Sequence, residues 1–320
     1  MMTITVVIPT YRRPNDLARC LESLKHQTRL PDEVLVVVRD SDTQTQTMLE
    51  EFDATSLPLK TVMVSVPGQV AALNTGLDNA QGEIIAITDD DAAPRPQWLE
   101  RMETHYLADS TVGGVGGRDW LHDGMQLAEG ADGELEVVGK LQWFGRFIPH
   151  HHLGAGKPRE VDTLRGANMS FRRSAIAKRC CKQIAHLRFD ERLRGTGAQP
   201  LNDVAFSLAV KRAGYKLIYD PEVAVNHYPG ARDEGPRHEF NASAWQIAVH
   251  NETFILLEHF PPVQRVVFLL WAIFVGTSEA RGLVQLVRFL PRERAIAVQK
   301  WWVSLLGRWE GWQTWQQCKQ

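Results

Sequence analysis

Four short runs of apolar, mostly β-branched residues punctuate the first ninety positions of the chain. Their ends lie about 20–30 residues apart, which is the span of a strand–helix repeat. Runs that are apolar throughout, rather than alternating with polar residues, are typical of strands buried on both faces of a parallel sheet. The pattern therefore predicts an α/β fold with a doubly wound, mostly parallel sheet, whose first strands are Ile4–Ile8, Val34–Val38, Val62–Val66 and Ile84–Ile87.

The segments between and after these runs differ in their periodicity. Apolar residues repeat at helical spacing within Pro14–Gln27 and again within Val70–Leu77. The glycine-rich run Val112–Gly117 is not followed by a helical pattern, so it predicts a strand with close backbone approach rather than a dinucleotide-binding turn. Residues 122–162 have weak periodicity and predict a long irregular insertion. Within it, His150–His152 favour solvated imidazoles over a metal site, because nothing nearby supplies a fourth ligand.

From about residue 240 the pattern is helical. We place a catalytic domain at 1–235 and a helical C-terminal extension at 236–320. The apolar run Val266–Val275 is shorter than the ~20 residues that span a bilayer. A later helix carries tryptophans and apolar residues on one face, which suits either a membrane interface or packing on protein, and the sequence leaves both open. That face comprises Val298, Trp301, Leu305, Trp309 and Trp312.

Charge is distributed unevenly. Residues 1–260 carry 28 basic and 35 acidic side chains, whereas residues 261–320 carry 8 basic and 3 acidic ones. The tail is thus positive on a negative body, which indicates a surface partner for the tail, such as the cytoplasmic face of a membrane. An acidic body without a basic–aromatic stripe argues against nucleic-acid binding. Four cysteines without metal-ligand spacing, and the lack of a signal-peptide pattern, favour a cytoplasmic protein, peripheral at most on the inner face of the membrane.

The candidate chemistry begins with the triplet Asp89–Asp91, directly after the strand Ile84–Ile87. Ligands of open α/β sheets bind at the carboxyl ends of the strands. Three crowded carboxylates repel one another unless solvent or a cation relieves them, and a divalent ion carrying a diphosphate would do so. A solvated acidic turn is the alternative. The turn Pro9–Pro14 follows the first strand at the same edge, and its tyrosine and arginines suit a base and a phosphate.

Further motifs follow in a fixed order. Together with the turn and the triplet, they resemble the inverting family 2 glycosyltransferases of the GT-A fold, over roughly residues 3–230. The further motifs are Leu164–Arg173, Phe189–Glu191, Asn202–Phe206, Ala213–Pro221 and Val225–His227.

The resemblance implies a role for each matching position. Asp203 matches the general base, and Asp91, Asp89 and His227 match the ligands of a Mn²⁺ or Mg²⁺ ion. Taken alone, Asp203 favours a helix cap and His227 a structural histidine, and their order with the acidic triplet favours the functional interpretation. Gly166, Ala167 and Asn168 match the strand that shapes the acceptor side. The nucleotide pocket would comprise Pro9, Thr10, Tyr11, Arg13, Asp40, Asp42, Gln69, Asp89 and Asp90.

Two positions depart from the family pattern. The acidic residue that contacts the base normally follows the second strand directly, and here it is Asp40 or Asp42. The family often has Ala-Arg-Asn in the helix after strand three, whereas this chain has Ala72-Leu73-Asn74. The missing arginine leaves one diphosphate contact to Gln69 or to a basic side chain from elsewhere.

The sequence thus predicts an enzyme that moves a sugar from a nucleotide-diphosphate sugar to a hydroxyl of a polysaccharide, glycolipid or lipid-linked glycan. One alternative is a sugar nucleotidyltransferase, which would want a glycine-rich loop after strand one, and Pro9–Pro14 contains no glycine. The other is a non-catalytic, membrane-docked binding protein. That class would lack the base or the metal carboxylates, and both are present.

Overall fold

The computed structural model describes residues 1–180, 183–195, 197–230 and 240–318. They form two compact units. The first comprises Met1–Lys140, Ile148–Glu191 and Asn202–Gly230, and the second comprises Leu141–Phe147, Arg192–Leu201 and the described residues of 231–320. The domain boundary predicted between residues 235 and 236 lies outside the described residues.

The strands along the described chain are β1 (Ile4–Thr10), β2 (Glu33–Arg39), β3 (Leu59–Val64), β4 (Ile84–Ile87), β5 (Ala92–Pro94), β6 (Val112–Asp123), β7 (Gln126–Leu127), β8 (Lys140–Leu141), β9 (Phe147–Ile148), β10 (Arg159–Val161), β11 (Met169–Arg172), β12 (Ala177–Cys180), β13 (Gln183–His186) and β14 (Lys216–His227). The helices are α1 (Pro14–Lys25), α2 (Thr43–Glu51), α3 (Gln69–Asn79), α4 (Trp98–Ala108), α5 (Arg173–Ile176), α6 (Asn202–Arg212), α7 (Ala242–His259), α8 (Pro262–Phe274), α9 (Leu283–Glu293) and α10 (Ala295–Gln317).

The main sheet of the first unit has the strand order β10-β14-β6-β11-β4-β1-β2-β3. Strands β1 to β4 are parallel where they pair, and β14 runs parallel to β6. The antiparallel strand β11 joins these two parallel blocks, because it lies between β4 and β6. The predicted mostly parallel α/β sheet with C-terminal helices is therefore confirmed.

Alternating side chains of β1 fill separate cores on the two faces of the sheet. Val7 belongs to a core that also contains Leu73 of α3. Val6 and Ile8 belong to the other core, with Leu17 of α1. All seven residues of β1 are buried, which is why its sequence is apolar without alternation. This two-sided burial fixes the strand ends that carry the candidate site.

Three local predictions differ from the structure. Strand β3 begins earlier than the apolar run Val62–Val66 suggested. Helix α2 was missed because its polar sequence buries only Thr45. The histidine triplet was expected in solvent, yet His151 is buried, with its Nε2 2.9 Å from the Thr163 carbonyl oxygen. A polar insertion with short strands (β7 to β10) can still bury single side chains, and periodicity gives no sign of it.

Strands β6 and β14 approach each other unusually closely at a bulge. Asp220 pairs with Gly117 and Val225 pairs with Asp119, so β14 holds three more residues than β6 between these pairs. A Cβ atom on Gly117 would lie 1.9 Å from the Val223 carbonyl oxygen, so only glycine fits there. The predicted strand with close backbone approach is thus confirmed, and the bulge sets where β14 ends at His227.

In the second unit, helices α7 and α10 pack along their lengths. Gly307 and Gly311 permit this contact, because a Cβ on either would lie 2.6 Å from a carbonyl oxygen of α7. The predicted tryptophan face of α10 is divided: Trp309 is exposed, whereas Trp301 and Trp312 are half-buried. Among the described residues, no helix is both long enough and apolar enough to cross a bilayer.

Candidate active site

The carboxyl ends of β1 and β4 bring the predicted turn and the acidic triplet together. The two strands are parallel neighbours, so the residues that follow them meet at one edge of the sheet. Thr10 Oγ1 donates a hydrogen bond of 2.8 Å to Asp90. Arg13 Nη1 lies 3.1 Å from Asp90 Oδ1 and 3.1 Å from Asp91 Oδ2. One guanidinium therefore spans two buried carboxylates.

Strand β14 ends at this edge and places the imidazole of His227 beside the carboxylates. Asp89, Asp91 and His227 each place a possible metal-ligating atom within 4.8 Å of the others. His227 Nε2 lies 3.2 Å from Asp91 Oδ1, and the Gly230 amide donates to Asp91 Oδ2 at 3.0 Å. Within the described chain, Asp91 Oδ1 has no well-directed hydrogen-bond donor. Two carboxylates and an imidazole with a spare buried oxygen fit a divalent cation.

Burial and mutual repulsion perturb the pKa values of this group. Burial raises the pKa of Asp89 to about 7, and the charge of Asp91 adds to the rise. Burial also raises the pKa of Asp90 to about 6, although Arg13 opposes it. Burial acts against the charged form of Asp91 too, but the facing His227 and the Gly230 amide hold its pKa low. The pKa of His227 is raised in turn, because Asp91 outweighs burial. Such a cluster favours a bound cation.

Gln69 and Asn202 connect this cluster to Asp203. Gln69 Nε2 lies 3.4 Å from Asp89 Oδ1, and Gln69 Oε1 accepts from Asn202 Nδ2 at 3.1 Å. Asp203 follows Asn202 in the first turn of α6. Its Oδ2 accepts from the Gly166 amide at 3.0 Å and its Oδ1 from the Val204 amide at 2.8 Å. These two bonds orient the half-buried Asp203 carboxylate, which the first turn of α6 brings to the site.

The acidic candidates after β2 have different surroundings. Asp42 is buried and caps α2, because it accepts from both the amide and the hydroxyl of Thr45, at 3.2 and 2.7 Å. It also accepts from the Arg12 amide at 2.5 Å, which holds the turn after β1 in place. Asp40 is exposed, with its Oδ1 3.7 Å from Arg39 Nε. Asp40 is thus the accessible carboxylate of the two.

The remaining nucleotide candidates lie on β1 and its turn. Pro9 is buried in β1 opposite Val37. Tyr11 is exposed, and the guanidinium carbon of Arg12 lies 5.0 Å from the centroid of its ring. Tyr11 therefore offers a free aromatic surface, whereas Pro9 offers only backbone.

The three candidates for the acceptor side do not act alike. Gly166 contacts Asp203, as described above. Asn168 is buried and bonds to Trp98 Nε1 and to the Val223 carbonyl oxygen, each at 2.8 Å. The Ala167 carbonyl oxygen accepts from the Thr88 hydroxyl at 2.9 Å. Ala167 and Asn168 thus join the strands behind the site, and only Gly166 reaches the candidate base.

Asp119 on β6 was missed by the sequence reading. It is buried beside Asn168, and its Oδ1 has no hydrogen-bond partner in the described chain. Burial raises the pKa of Asp119, while the charge of His227 opposes the rise and that of Asp203 adds to it. Asp119 therefore interacts electrostatically both with His227 of the candidate metal site and with the candidate base Asp203. The available signal was an acidic residue two positions after the glycine run Val112–Gly117, in the carboxyl half of a parallel strand.

Comparison with solved structures supports the fold. The structure is similar to S. aureus TarS in complex with UDP-GlcNAc, with a TM-score of 0.59 and 16% identity, covering 95% of this chain and 80% of that one. It is also similar to the mannosyltransferase PcManGT from Pyrobaculum calidifontis in complex with GDP-Man and Mn²⁺. That match has a TM-score of 0.54 and 17% identity, and covers 100% of this chain and 88% of that one. At these identities the likeness establishes the shared fold.

Sequence comparison adds the family. Glycosyltransferase AglE of Haloferax volcanii is 33% identical over 116 residues, which span 35% of this chain and 36% of AglE. The family model described as glycosyl transferase family 2 matches residues 5–179, which contain the turn after β1, the acidic triplet and Gly166 to Asn168. These last three residues were expected on a strand, but they form a turn directly before β11, closed by the bridge between Arg165 and Asn168. The chain therefore belongs to glycosyl transferase family 2.

Proposed function

We propose that this protein is a metal-dependent, inverting glycosyltransferase that moves a sugar from a nucleotide-diphosphate sugar to a hydroxyl acceptor. One observation carries the proposal: Asp89, Asp91 and His227 converge at the same sheet edge as Asp203, linked to it through Gln69 and Asn202. A candidate cation site and a separate carboxylate within one family 2 chain support this proposal. In the proposed transfer to a hydroxyl, the cation acts on the leaving diphosphate and the carboxylate acts on the attacking hydroxyl.

The donor side is built from the acidic triplet and the turn after β1. We assign Asp89, Asp91 and His227 to a Mn²⁺ or Mg²⁺ ion, and the imidazole favours Mn²⁺. Held by these residues, the ion would supply positive charge to offset the charge on the leaving diphosphate. The complexes of TarS with UDP-GlcNAc and of PcManGT with GDP-Man support a nucleotide-sugar donor here.

The protein's own residues would position that donor. Exposed Tyr11 stacks on the base, and exposed Asp40 accepts hydrogen bonds from it. Arg13 pairs with Asp90 and Asp91 and opposes the effect of burial on the pKa of both, which favours the charged forms that would meet the cation and the ribose-phosphate portion. Gln69 takes the place of the arginine missing from the pattern at Leu73, because it lies beside Asp89.

The acceptor side depends on Asp203. Its carboxylate takes the proton of the attacking hydroxyl, which then displaces the diphosphate directly and inverts the anomeric centre. The amides of Gly166 and Val204 donate hydrogen bonds to the carboxylate and fix its direction. No protein nucleophile is needed in this scheme.

For the acceptor itself we propose a glycan or a lipid-linked glycan, and for the location the cytoplasm, peripheral on the inner face of the membrane. The catalytic domain is proposed to span 1–235 and the helical extension 236–320. A sugar nucleotidyltransferase is disfavoured, because the turn Pro9–Pro14 is held by Asp42 and Asp90 and contains no glycine-rich phosphate loop.

A ligand screen tests the proposal. Nucleotide sugars with uridine and guanosine are added to the full chain with and without Mn²⁺, and thermal stability and nucleotide release are measured. We expect one donor class to raise the melting temperature only with Mn²⁺, because a ligand that binds the folded state alone stabilises it. The anomeric configuration of the product, read by NMR, tests inversion. Pyrophosphate release from a sugar phosphate and a nucleoside triphosphate, without sugar transfer, would overturn the proposal.

A further inference from the structure

The outward side of α8 is apolar along the whole helix. Its exposed residues are Val263, Val266, Leu270, Ile273 and Phe274, between 37% and 75% accessible. The only charged residue of α8 is Arg265, and it is half-buried: its Nε donates to the Leu257 carbonyl oxygen at 2.7 Å. The opposite side of the helix is anchored by Phe268 and Ala272, which are buried. The helix therefore has a packed inner side and an apolar outer side.

Helix α9 repeats this arrangement and adds positive charge. Its outward residues Leu283, Val284, Val287 and Leu290 are 40% to 70% accessible, and none of its residues is fully buried. Its inner side is held by Glu293, which receives two hydrogen bonds from buried Arg281, at 2.8 and 3.0 Å. We call the exposed apolar residues of these two adjacent helices the α8–α9 face.

Three exposed arginines border this face: Arg288, Arg292 and Arg294. On a helical projection, Arg288 and Arg292 fall at one edge of the apolar stripe of α9. Among the described side chains, no carboxylate lies within ion-pair distance of any of the three. The tail from residue 261 onward carries a balance of +5 on a body of −7, so this positive charge is local.

Among the described residues, nothing covers the α8–α9 face, as the accessibilities of its side chains show. The residues outside the described ranges, 181–182, 196, 231–239 and 319–320, contain no leucine, isoleucine, valine, methionine, phenylalanine, tyrosine or tryptophan. A second copy docked by the same face would bring two identical arginine borders together, which costs Coulomb energy. An apolar stripe with a cationic border instead complements a surface that is apolar inside and anionic outside.

We propose that the α8–α9 face docks on an anionic lipid bilayer, with the apolar residues of both helices in the headgroup–acyl boundary and the three arginines at the phosphates. Exposed Trp143 adds an interfacial anchor next to α8, because its neighbour Phe144 packs on Trp271 with ring centroids 5.1 Å apart. Docking is peripheral, since neither helix spans the bilayer. The inference concerns a surface, and it does not rest on the proposed sugar transfer.

Vesicle co-sedimentation of the full chain tests the proposal, with phosphatidylcholine vesicles compared with vesicles that also contain phosphatidylglycerol. We expect binding to the anionic vesicles, and a loss of about tenfold or more in the double variant Val266→Asp/Val287→Asp, because a charge on the buried side of an interfacial helix opposes insertion. The matched control is Met63→Asp/Leu107→Asp, which charges two equally exposed apolar residues of the first unit. The control is expected to bind as the unaltered chain does.

A second variant separates charge from apolar contact. Arg288→Gln/Arg292→Gln should weaken binding to anionic vesicles about fivefold for each arginine and flatten its salt dependence. The proposal is overturned if the unaltered, folded chain does not sediment with anionic vesicles. It is also overturned if light scattering shows a dimer that Val287→Asp dissociates, because the occupant is then a second copy. Donor-dependent thermal stabilisation, measured in parallel without lipid, shows whether the proposed function holds independently.

Discussion

The proposed catalytic edge, which comprises Asp89–Asp91, Asp119 and Asp203, and the α8–α9 face depart from ordinary solvent exposure in opposite directions. The first buries carboxylates: Asp90, Asp91 and Asp119 are each 5% exposed or less. The second exposes valines, leucines and a phenylalanine that a folded chain normally hides. Both arrangements cost free energy in the isolated protein, because burial of several like charges and open apolar surface are each unfavourable. The first region therefore favours a bound cation, and the second region favours contact with an apolar medium.

The two regions also differ in the contacts that stabilise them. The buried carboxylates are held by specific partners, such as Arg13, Thr10 and the Gly230 amide. The exposed face has no such partners, and its geometry depends on the helices behind it, which are packed through Gly307 and Gly311. Single substitutions in the first region should therefore change ligand binding and turnover. Single substitutions behind the second region should change the stability of the helices that support it.

The largest expected effect is at the metal. Asp91→Asn should lower turnover by about 10³-fold or more and abolish Mn²⁺-dependent nucleotide binding, because it removes the charge that His227 and Gly230 hold ionised. Turnover and calorimetric titration with and without Mn²⁺ measure it. The control Asp132→Asn alters an exposed carboxylate of the same unit. Unchanged metal-dependent nucleotide affinity in the Asp91 variant would mean that the buried charges serve folding instead.

A smaller loss is expected at the base, and it divides the catalytic edge into two functions. Asp203→Asn should lower turnover by about 10²-fold and leave Mn²⁺-dependent donor binding intact, because this carboxylate acts only on the acceptor proton. Steady-state kinetics and donor titration separate the two readouts. Asp162→Asn, which alters a carboxylate 2.6 Å from Lys211 Nζ, is the matched control. Near-normal turnover with a lower melting temperature would make Asp203 a structural residue of α6.

The third prediction tests the support behind the exposed face. Gly311→Val should destabilise the second unit by about 1–3 kcal/mol, because its Cβ would meet the His250 carbonyl oxygen at 2.6 Å. Urea denaturation measures the change, and donor binding in the first unit should not alter. Gly197→Val is the control, since nothing lies within 4 Å of a Cβ at that position. Equal stability of the two variants would contradict the close packing of α7 on α10.

The smallest expected effect is a pH dependence at the catalytic edge. Because the pKa of Asp89 is raised to about 7, the folded state binds its proton more tightly than the unfolded state does. Ionised Asp89 therefore weakens the metal-free protein above pH 7, and Asp89→Asn should raise the melting temperature there by a few degrees. The gain should shrink as the pH falls and vanish below about pH 4. Differential scanning fluorimetry measures it.

Added Mn²⁺ gives the control for this last effect. The metal should stabilise the unaltered chain and leave Asp89→Asn almost unchanged, so that the order of stability reverses. A variant that is less stable than the unaltered chain at high pH without metal would contradict the raised pKa.

Sequence alone predicted the first unit well because its signals are local. Apolar runs mark β1, β2 and β4, since burial on both faces leaves no polar position to confuse the pattern. The acidic triplet and His227 could be joined only through the order of motifs, because 136 positions separate His227 from Asp91. The contact of Gln69 with Asn202 could not be predicted, since no periodicity relates side chains that meet across a sheet edge.

The second unit was harder to predict for a physical reason. Val266–Val275 is apolar all round, so the run carries no polar side to show which face packs and which is exposed. The burial of Asp119 was missed for a different reason. An acidic residue within a strand normally indicates a surface position, and only the pairing of β6 with β14 shows that Asp119 is buried. In both cases the deciding information was the identity of the neighbouring element, which a linear pattern does not contain.

The bulge in β14 makes the length of the chain a determinant of the proposed metal site. Four residues, 221–224, lie between the pairs formed by Asp220 and Val225, where β6 has only Arg118. Successive side chains of a strand point to opposite faces, so a slip of one position turns His227 away from Asp91. Loss or gain of one residue in 221–224 would keep every ligand in the sequence and still dismantle the site. Relatives that share this centre are therefore expected to vary in the identity of these four residues far more readily than in their number.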